Sequence, residues 1–120
     1  MTAQEIFDKV CDRLRDGTGQ ALGEHACEYL SRKGLKCAVG IFIPDGHLAQ
    51  NFEGGIDLLL EEYPNSLPGF LELNKGLLAE LQEVHDNPQN WDDLHFNQYG
   101  EKHLKCVAND LNLTYREPVQ

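Results

Sequence analysis

The chain is poor in basic residues, and the shortage is local. Lys and Arg number 10 against 20 Asp and Glu, a formal net charge of −10 over 120 residues. Residues 1–36 hold six acids and six bases, residues 37–101 hold twelve acids and one base, Lys75, and residues 102–120 return to +1. The central stretch therefore lacks the cations that phosphate contacts need, which argues against direct nucleic-acid binding and against attachment to anionic membranes. Long apolar runs are also missing. The longest lies near Ala38–Pro44, well short of the roughly 20 residues of a spanning helix. There is no Cys-x-x-Cys and no His-Glu-x-x-His, so the tight ligand pair that usually nucleates a zinc site is absent. Gly17-x-Gly19 and Gly54-Gly55 match neither a P-loop nor a dinucleotide-binding turn. No cofactor and no metal is expected.

What is there fits one soluble domain spanning residues 1–120. An apolar share of 41% is ordinary for a globular chain, and a chain of this length buries about 65% of its unfolded surface, enough for one core. Met1–Glu5 carries neither a basic n-region nor an apolar segment, so no export signal is expected there. The expected location is the cytoplasm, with Cys11, Cys27, Cys37 and Cys106 as reduced thiols.

The apolar periodicity predicts a mainly helical chain. Thr2-x-x-Glu5 is a capping box, and Ile6, Phe7, Val10, Cys11 and Leu14 form one helical stripe, so residues 3–16 read as a helix. In residues 20–36, Leu22, Ala26 and Leu30 suit a helix. Ser31-Arg32-Lys33-Gly34 equally suits a hairpin turn joining His25–Leu30 to Leu35–Ala38. Cys37–Ile43 is core, broken by Pro44-Asp45-Gly46. Residues 56–63, one turn at Phe70–Leu73, and residues 75–86 read as further helices. Asn90 reads as the cap of a helix carrying Trp91 and Leu94, interrupted at Gly100 before a last helix marked by Leu104, Val107, Ala108 and Leu111.

Three constellations could carry chemistry. Cys27 and Cys37 flanked by His25 and His47 offer metal-type ligands, but buried hydrophobic cysteines account for them as well. Cys37 ahead of a helical turn, with His47 or the His85-Asp86 pair as base, would suit a nucleophilic thiol. Its apolar surroundings point instead to a buried, inert group. Glu61-Glu62 and Asp92-Asp93 are adjacent on the chain, and neighbours on a helix do not face each other, so they read as solvated faces rather than an acid–base pair.

The islands Cys27-Glu28-Tyr29, Gly34-Leu35-Lys36-Cys37-Ala38-Val39-Gly40, Ile43-Pro44-Asp45, Glu53-Gly54 and Leu81–Asp86 with Trp91 resemble small uncharacterised phage and prophage proteins. The resemblance implies a hairpin over residues 25–38 and a mobile-element setting in a bacterial host. It implies no activity and no catalytic residue. Where related sequences carry a second cysteine after the glycine, this chain has Ile41-Phe42, which weakens a metal or disulfide role for Cys37.

These features combine into an α+β fold, mainly helical, with about five helices and one small β-hairpin near residues 25–38. The expected function is binding: a small acidic accessory or inhibitor protein that occupies a basic surface on a larger protein, in the manner of a nucleic-acid mimic. Asp57, Glu61, Glu62, Asp86, Trp91, Asp92 and Asp93 are the candidate partner-binding residues, with Trp91 as an aromatic anchor in an acidic rim or, alternatively, a core side chain. A second copy of the chain is a further candidate partner. Plain solubility would also account for the charge. The alternative function is a small Cys/His-dependent enzyme or metal protein built on Cys37 and nearby histidines.

Overall fold

The computed structural model describes residues 1–22, 29–31, 34–52 and 54–118. Helix α1, Ala3–Leu14, starts at the capping box: Thr2 Oγ1 accepts the Glu5 N–H at 3.1 Å and Glu5 Oε1 accepts the Thr2 N–H at 2.9 Å. Its buried face is the stripe read from the sequence, Ile6, Phe7, Val10, Cys11 and Leu14. Helix α2 is Ile56–Glu62, α3 the single turn Phe70–Leu73, and α4 Lys75–Asp86. Helix α5 is Gln98–Asp110, and it closes the core with Leu104, Val107 and Ala108. Helix α4 is the hub and packs on α1, α2, α3 and α5. Its buried residues Leu77, Leu78, Leu81, Val84 and His85 make a stripe wide enough to meet neighbours on several sides.

The stretch between α4 and α5 departs from expectation. Asn90 caps no helix through Trp91 and Leu94. Pro88–Asn90 form a 3₁₀ turn, and Trp91–Asp92 (β1) pair antiparallel with His95–Phe96 (β2). Asp93 opens the two-residue loop in the left-handed region at φ 58°, which Asp tolerates better than most residues. The true cap of α5 is Asn97, whose Oδ1 accepts the Tyr99 and Gly100 N–H groups at 2.9 and 3.1 Å. Gly100 does not interrupt a helix. It lies in the first turn of α5, where a Cβ would strike the Phe96 ring. A glycine in a helix normally weakens it, but here close packing requires one.

The hairpin expected at residues 25–38 has a counterpart. Gly34 takes φ +82° in a turn closed by its N–H to Ser31 O at 2.9 Å. Leu30 forms a single antiparallel bridge with Lys36, and the Ser31 N–H donates to Leu35 O at 2.8 Å. Residues 23–28 and 32–33, on which the rest of that expectation falls, lie outside the described residues, so among those described the paired strands are at 91–96. Cys37, Ala38, Val39, Phe42 and Ile43 are buried as expected. A 3₁₀ turn at Gly40–Phe42 brings Gly40 under the Tyr29 carbonyl, where no Cβ fits. Among the described residues no helix is long and apolar enough to cross a membrane.

Candidate functional site

Folding neutralises part of the central acidic stretch and leaves the rest open. Lys36 Nζ reaches Asp45 Oδ1 at 2.7 Å, and its hydrogen bond and charge hold the Asp45 carboxyl below its ordinary pKa. Arg15 grips Glu101 through two hydrogen bonds of 2.9 and 2.7 Å, the bidentate form that Arg and a carboxylate favour. These contacts, led by the hydrogen bonding, raise the Arg15 pKa further. Tyr115 donates to the same carboxylate at 2.7 Å. Glu61, Glu62, Glu83, Asp92 and Asp93 are exposed and form no ion pair among the described residues.

Three of these exposed acids stand in the last turn of a helix, where the backbone disfavours them: Glu83 on α4 and the pair on α2. Glu61 and Glu62 are the last two residues of α2, beside unpaired carbonyls whose partial charge is already negative. Carboxylates there cost about 0.3–1 kcal/mol each relative to cations. Leu58, one turn before Glu62, is 57% exposed, and Leu73 at the end of α3 is 86% exposed. Between α2 and α3 runs a cleft of about 470 Å³ lined by Asp57, Leu60, Glu61, Glu72 and Lys75. It shares Leu60 and Glu72 with a second hollow of about 220 Å³ beside Tyr63, Leu67 and Pro68. The surface is thus an acidic cleft that runs into a hollow of mixed polar and apolar lining, Asn65 and Glu72 included. Among the described residues its one cation is Lys75, whose Nζ lies 3.7 Å from Asp57 and 3.9 Å from Glu72.

The candidate residues fall into three groups. Asp57, Glu61 and Glu62 lie together on exposed α2. Asp92 and Asp93 lie on the hairpin, and each has a local duty: Asp92 Oδ1 accepts Asn97 Nδ2 at 3.2 Å, and Asp93 shapes the loop. Asp86 and Trp91 both bond to His85, Asp86 from the exposed surface and Trp91 from the core. Asp86 Oδ1 accepts Gln82 Nε2 at 2.7 Å and His85 Nδ1 at 2.8 Å. Trp91 is buried, donates its indole N–H to His85 O at 2.9 Å and packs edge-on against His85 and Phe96. It is therefore a core side chain and no surface anchor. Sequence reasoning also missed Leu60, Glu72 and Lys75. The one signal for them was that Lys75 is the lone base among twelve acids.

The geometry disfavours thiol catalysis at Cys37. Its Sγ is buried and accepts the Gly40 N–H at 3.3 Å. Burial pushes the thiol up to about 12, far from the depressed values that activate a nucleophile. Both nitrogens of His85 are committed, Nδ1 to Asp86 and Nε2 as acceptor of the Ala21 N–H at 3.1 Å. His47 accepts the Ala49 N–H and contacts Ser66. Among the described residues no three His, Cys, Asp or Glu side chains converge as a metal ion would require; His25 and Cys27 lie outside them. Comparison with protein-family models, curated proteins and solved structures returns no match.

Proposed function

We propose that this chain is a small acidic binding domain that docks onto a basic surface of a larger protein. The observation that carries the proposal is the placement of Glu61 and Glu62, exposed, unpaired among the described residues and at the wrong end of α2 for the helix itself. Solubility alone would be served by acids at helix starts and cations at helix ends. Exposed Leu58 and Leu73 supply apolar area within the acidic field, the combination of steering charge and desolvating contact that interfaces use. The resemblance of the Gly34–Gly40 and Ile43–Asp45 islands to phage and prophage proteins directs the same proposal toward a bacterial host cell. There the partner is a protein that handles nucleic acid, and the domain inhibits it by filling its Lys- and Arg-lined channel.

The test is affinity capture from a lysate of the native host with the wild type and the Glu61→Lys/Glu62→Lys double variant side by side. The proposal requires a partner with a basic surface that elutes as salt rises and is lost with the double variant. Capture that is indifferent both to salt and to the charge reversal would overturn it.

A further inference from the structure

The segment that follows α5 lies across α1 as a strap, and the side chains that receive it are built to hold an extended backbone. Gln4 brackets one of its residues: Nε2 donates to Thr114 O at 3.0 Å, and Oε1 accepts the Thr114 N–H at 2.8 Å. Arg15 donates to Arg116 O at 2.9 Å. The same guanidinium sits over the Tyr115 ring, 5.7 Å from its centroid, while the Tyr115 hydroxyl donates to Glu101 and Arg116 reaches Asp8 at 2.8 Å. This seat is organised independently of the strap. Gln4 Nε2 also donates to Asp8 Oδ1 at 2.9 Å, and the Arg15–Glu101 pair joins α1 to α5. The strap has little of its own. Thr114, Arg116, Glu117 and Pro118 are exposed, and only Leu113 and Tyr115 are half-buried against the core. After the Leu113 N–H, which donates to Ala108 O at 2.8 Å, no backbone–backbone hydrogen bond holds it among the described residues. Segments with so few buried contacts open locally while the rest of the fold stays closed.

We propose that this strap exchanges between two copies of the chain, each occupying the α1 seat of the other in a two-fold symmetric dimer. The segment that fits the seat is the chain's own, so a second copy brings the matching ligand, and the contacts of Thr114, Tyr115 and Arg116 are remade unchanged across the pair. What differs is the hinge. Asn112 takes φ 57° and turns the strap back onto its own α1. Asn tolerates that left-handed conformation at some cost, and an extended Asn112 relieves it while giving up the Leu113 bond to Ala108. In its own molecule the strap competes at an effective concentration on the order of millimolar, so exchange belongs to concentrated or co-localised chains. The inference goes beyond the docking function proposed above and uses none of its residues.

Sedimentation equilibrium of the whole chain tests the hinge. Asn112→Pro, which cannot take a positive φ, should tighten the dimer at least tenfold. Asn112→Gly, which takes it freely, should weaken it severalfold. A complementing pair of whole-chain variants then locates the contact. Gln4→Ala/Asp8→Ala keeps the strap but removes three of the hydrogen bonds that seat it. Tyr115→Ala/Arg116→Ala keeps the seat but spoils the strap. With the second variant labelled for two-dimensional NMR, adding the first should shift residues 4–15 and 101, whereas adding more of the second should not. An Asn112→Pro chain that stays monomeric at about 1 mM, a dimer that survives Gln4→Ala/Asp8→Ala in that background, or a mixture without shifts at the seat overturns the proposal.

Discussion

Replacing His85 separates the packing and hydrogen-bonding contributions at the centre of the fold. Its imidazole is wholly buried on α4, donates from Nδ1 to Asp86 at 2.8 Å and accepts the Ala21 N–H at Nε2 at 3.1 Å. The carboxylate can only accept and the amide can only donate, so the two partners together fix the tautomer. His85→Ala removes the acceptor and opens a void against Trp91, whose ring centroid lies 5.9 Å away. Stranding a buried amide costs about 1–3 kcal/mol, and truncating a buried ring costs about 3–5 kcal/mol. A total of about 4–8 kcal/mol is expected, a large part of the about 6–18 kcal/mol that a domain of this length has.

His85→Phe keeps most of the ring volume and removes only the polar contacts. Asp86 loses one donor but keeps Gln82, and its side chain is 44% exposed, so that loss is minor. The cost of the Phe variant should therefore be the orphaned Ala21 amide, about 1–3 kcal/mol. Urea unfolding followed by the single tryptophan, Trp91, and independently by circular dichroism, measures both variants. A Phe variant as stable as the wild type would refute the role assigned to the Ala21 hydrogen bond. A Phe variant less stable than the Ala variant would refute the packing argument.

The thiols should behave as core. In a Cys27→Ser background, a thiol reagent should label exposed Cys106 quickly and Cys11 and Cys37 only on unfolding, and Cys37→Ala should cost about 1–3 kcal/mol; fast native labelling of Cys37 would contradict this. Burial raises Cys11 and Cys37 from 9.0 to about 12 and Tyr115 from 10.0 to about 12. The unfolded chain thus releases these protons first, and stability present below pH 9 should fall as pH rises toward 12, less steeply in the Cys11→Ala/Cys37→Ala variant, as pH-dependent urea melts would read. Gly40→Ala should cost about 1–3 kcal/mol because its Cβ meets the Tyr29 carbonyl, whereas Gly76→Ala, with open space around it on α4, should add about 0.5–1 kcal/mol in the same melts. Glu61→Lys and Glu62→Lys should each stabilise the fold by about 0.3–1 kcal/mol at low salt while weakening partner binding; a loss of stability would remove the argument from helix polarity.

What the sequence made legible depended on the range of the interaction that decides each element. Helices α1, α2 and α4 are written locally, in the Thr2–Glu5 capping box and in stripes such as Leu77, Leu78, Leu81 and Val84, and their expected and observed bounds agree within two residues. The hairpin at residues 91–96 was not legible. Its strands are two residues long, too short for alternation to register. Gly100 misled for a related reason: the Phe96 ring that requires it is brought there by the hairpin, not by the helix. The candidate site was half visible. The acids of α2 were plain from their spacing. The groove beside them depends on α3 folding back so that Glu72 and Lys75 meet Asp57, and no local pattern encodes that contact.

The same distinction separates the acids that serve the fold from those that do not. Glu101, Asp45 and Asp86 answer to Arg15, Lys36 and His85, of which packing brings Arg15 in from a distant part of the chain and His85 is the chain neighbour of Asp86, and Asp92 and Asp93 help to build the hairpin. Each of these carboxylates has a structural reason to be acidic or polar, so its charge says little about a partner. Glu61 and Glu62 have none: they oppose the dipole of their own helix and meet no cation among the described residues. Asp57 and Glu72 share one loosely held lysine between them. Among the described residues the α2–α3 face thus holds part of the unpaired charge, alongside exposed Glu83 on α4 and the Asp92–Asp93 hairpin. A partner drawn to the α2–α3 face by its charge would meet exposed Leu58 and Leu73 beside the cleft.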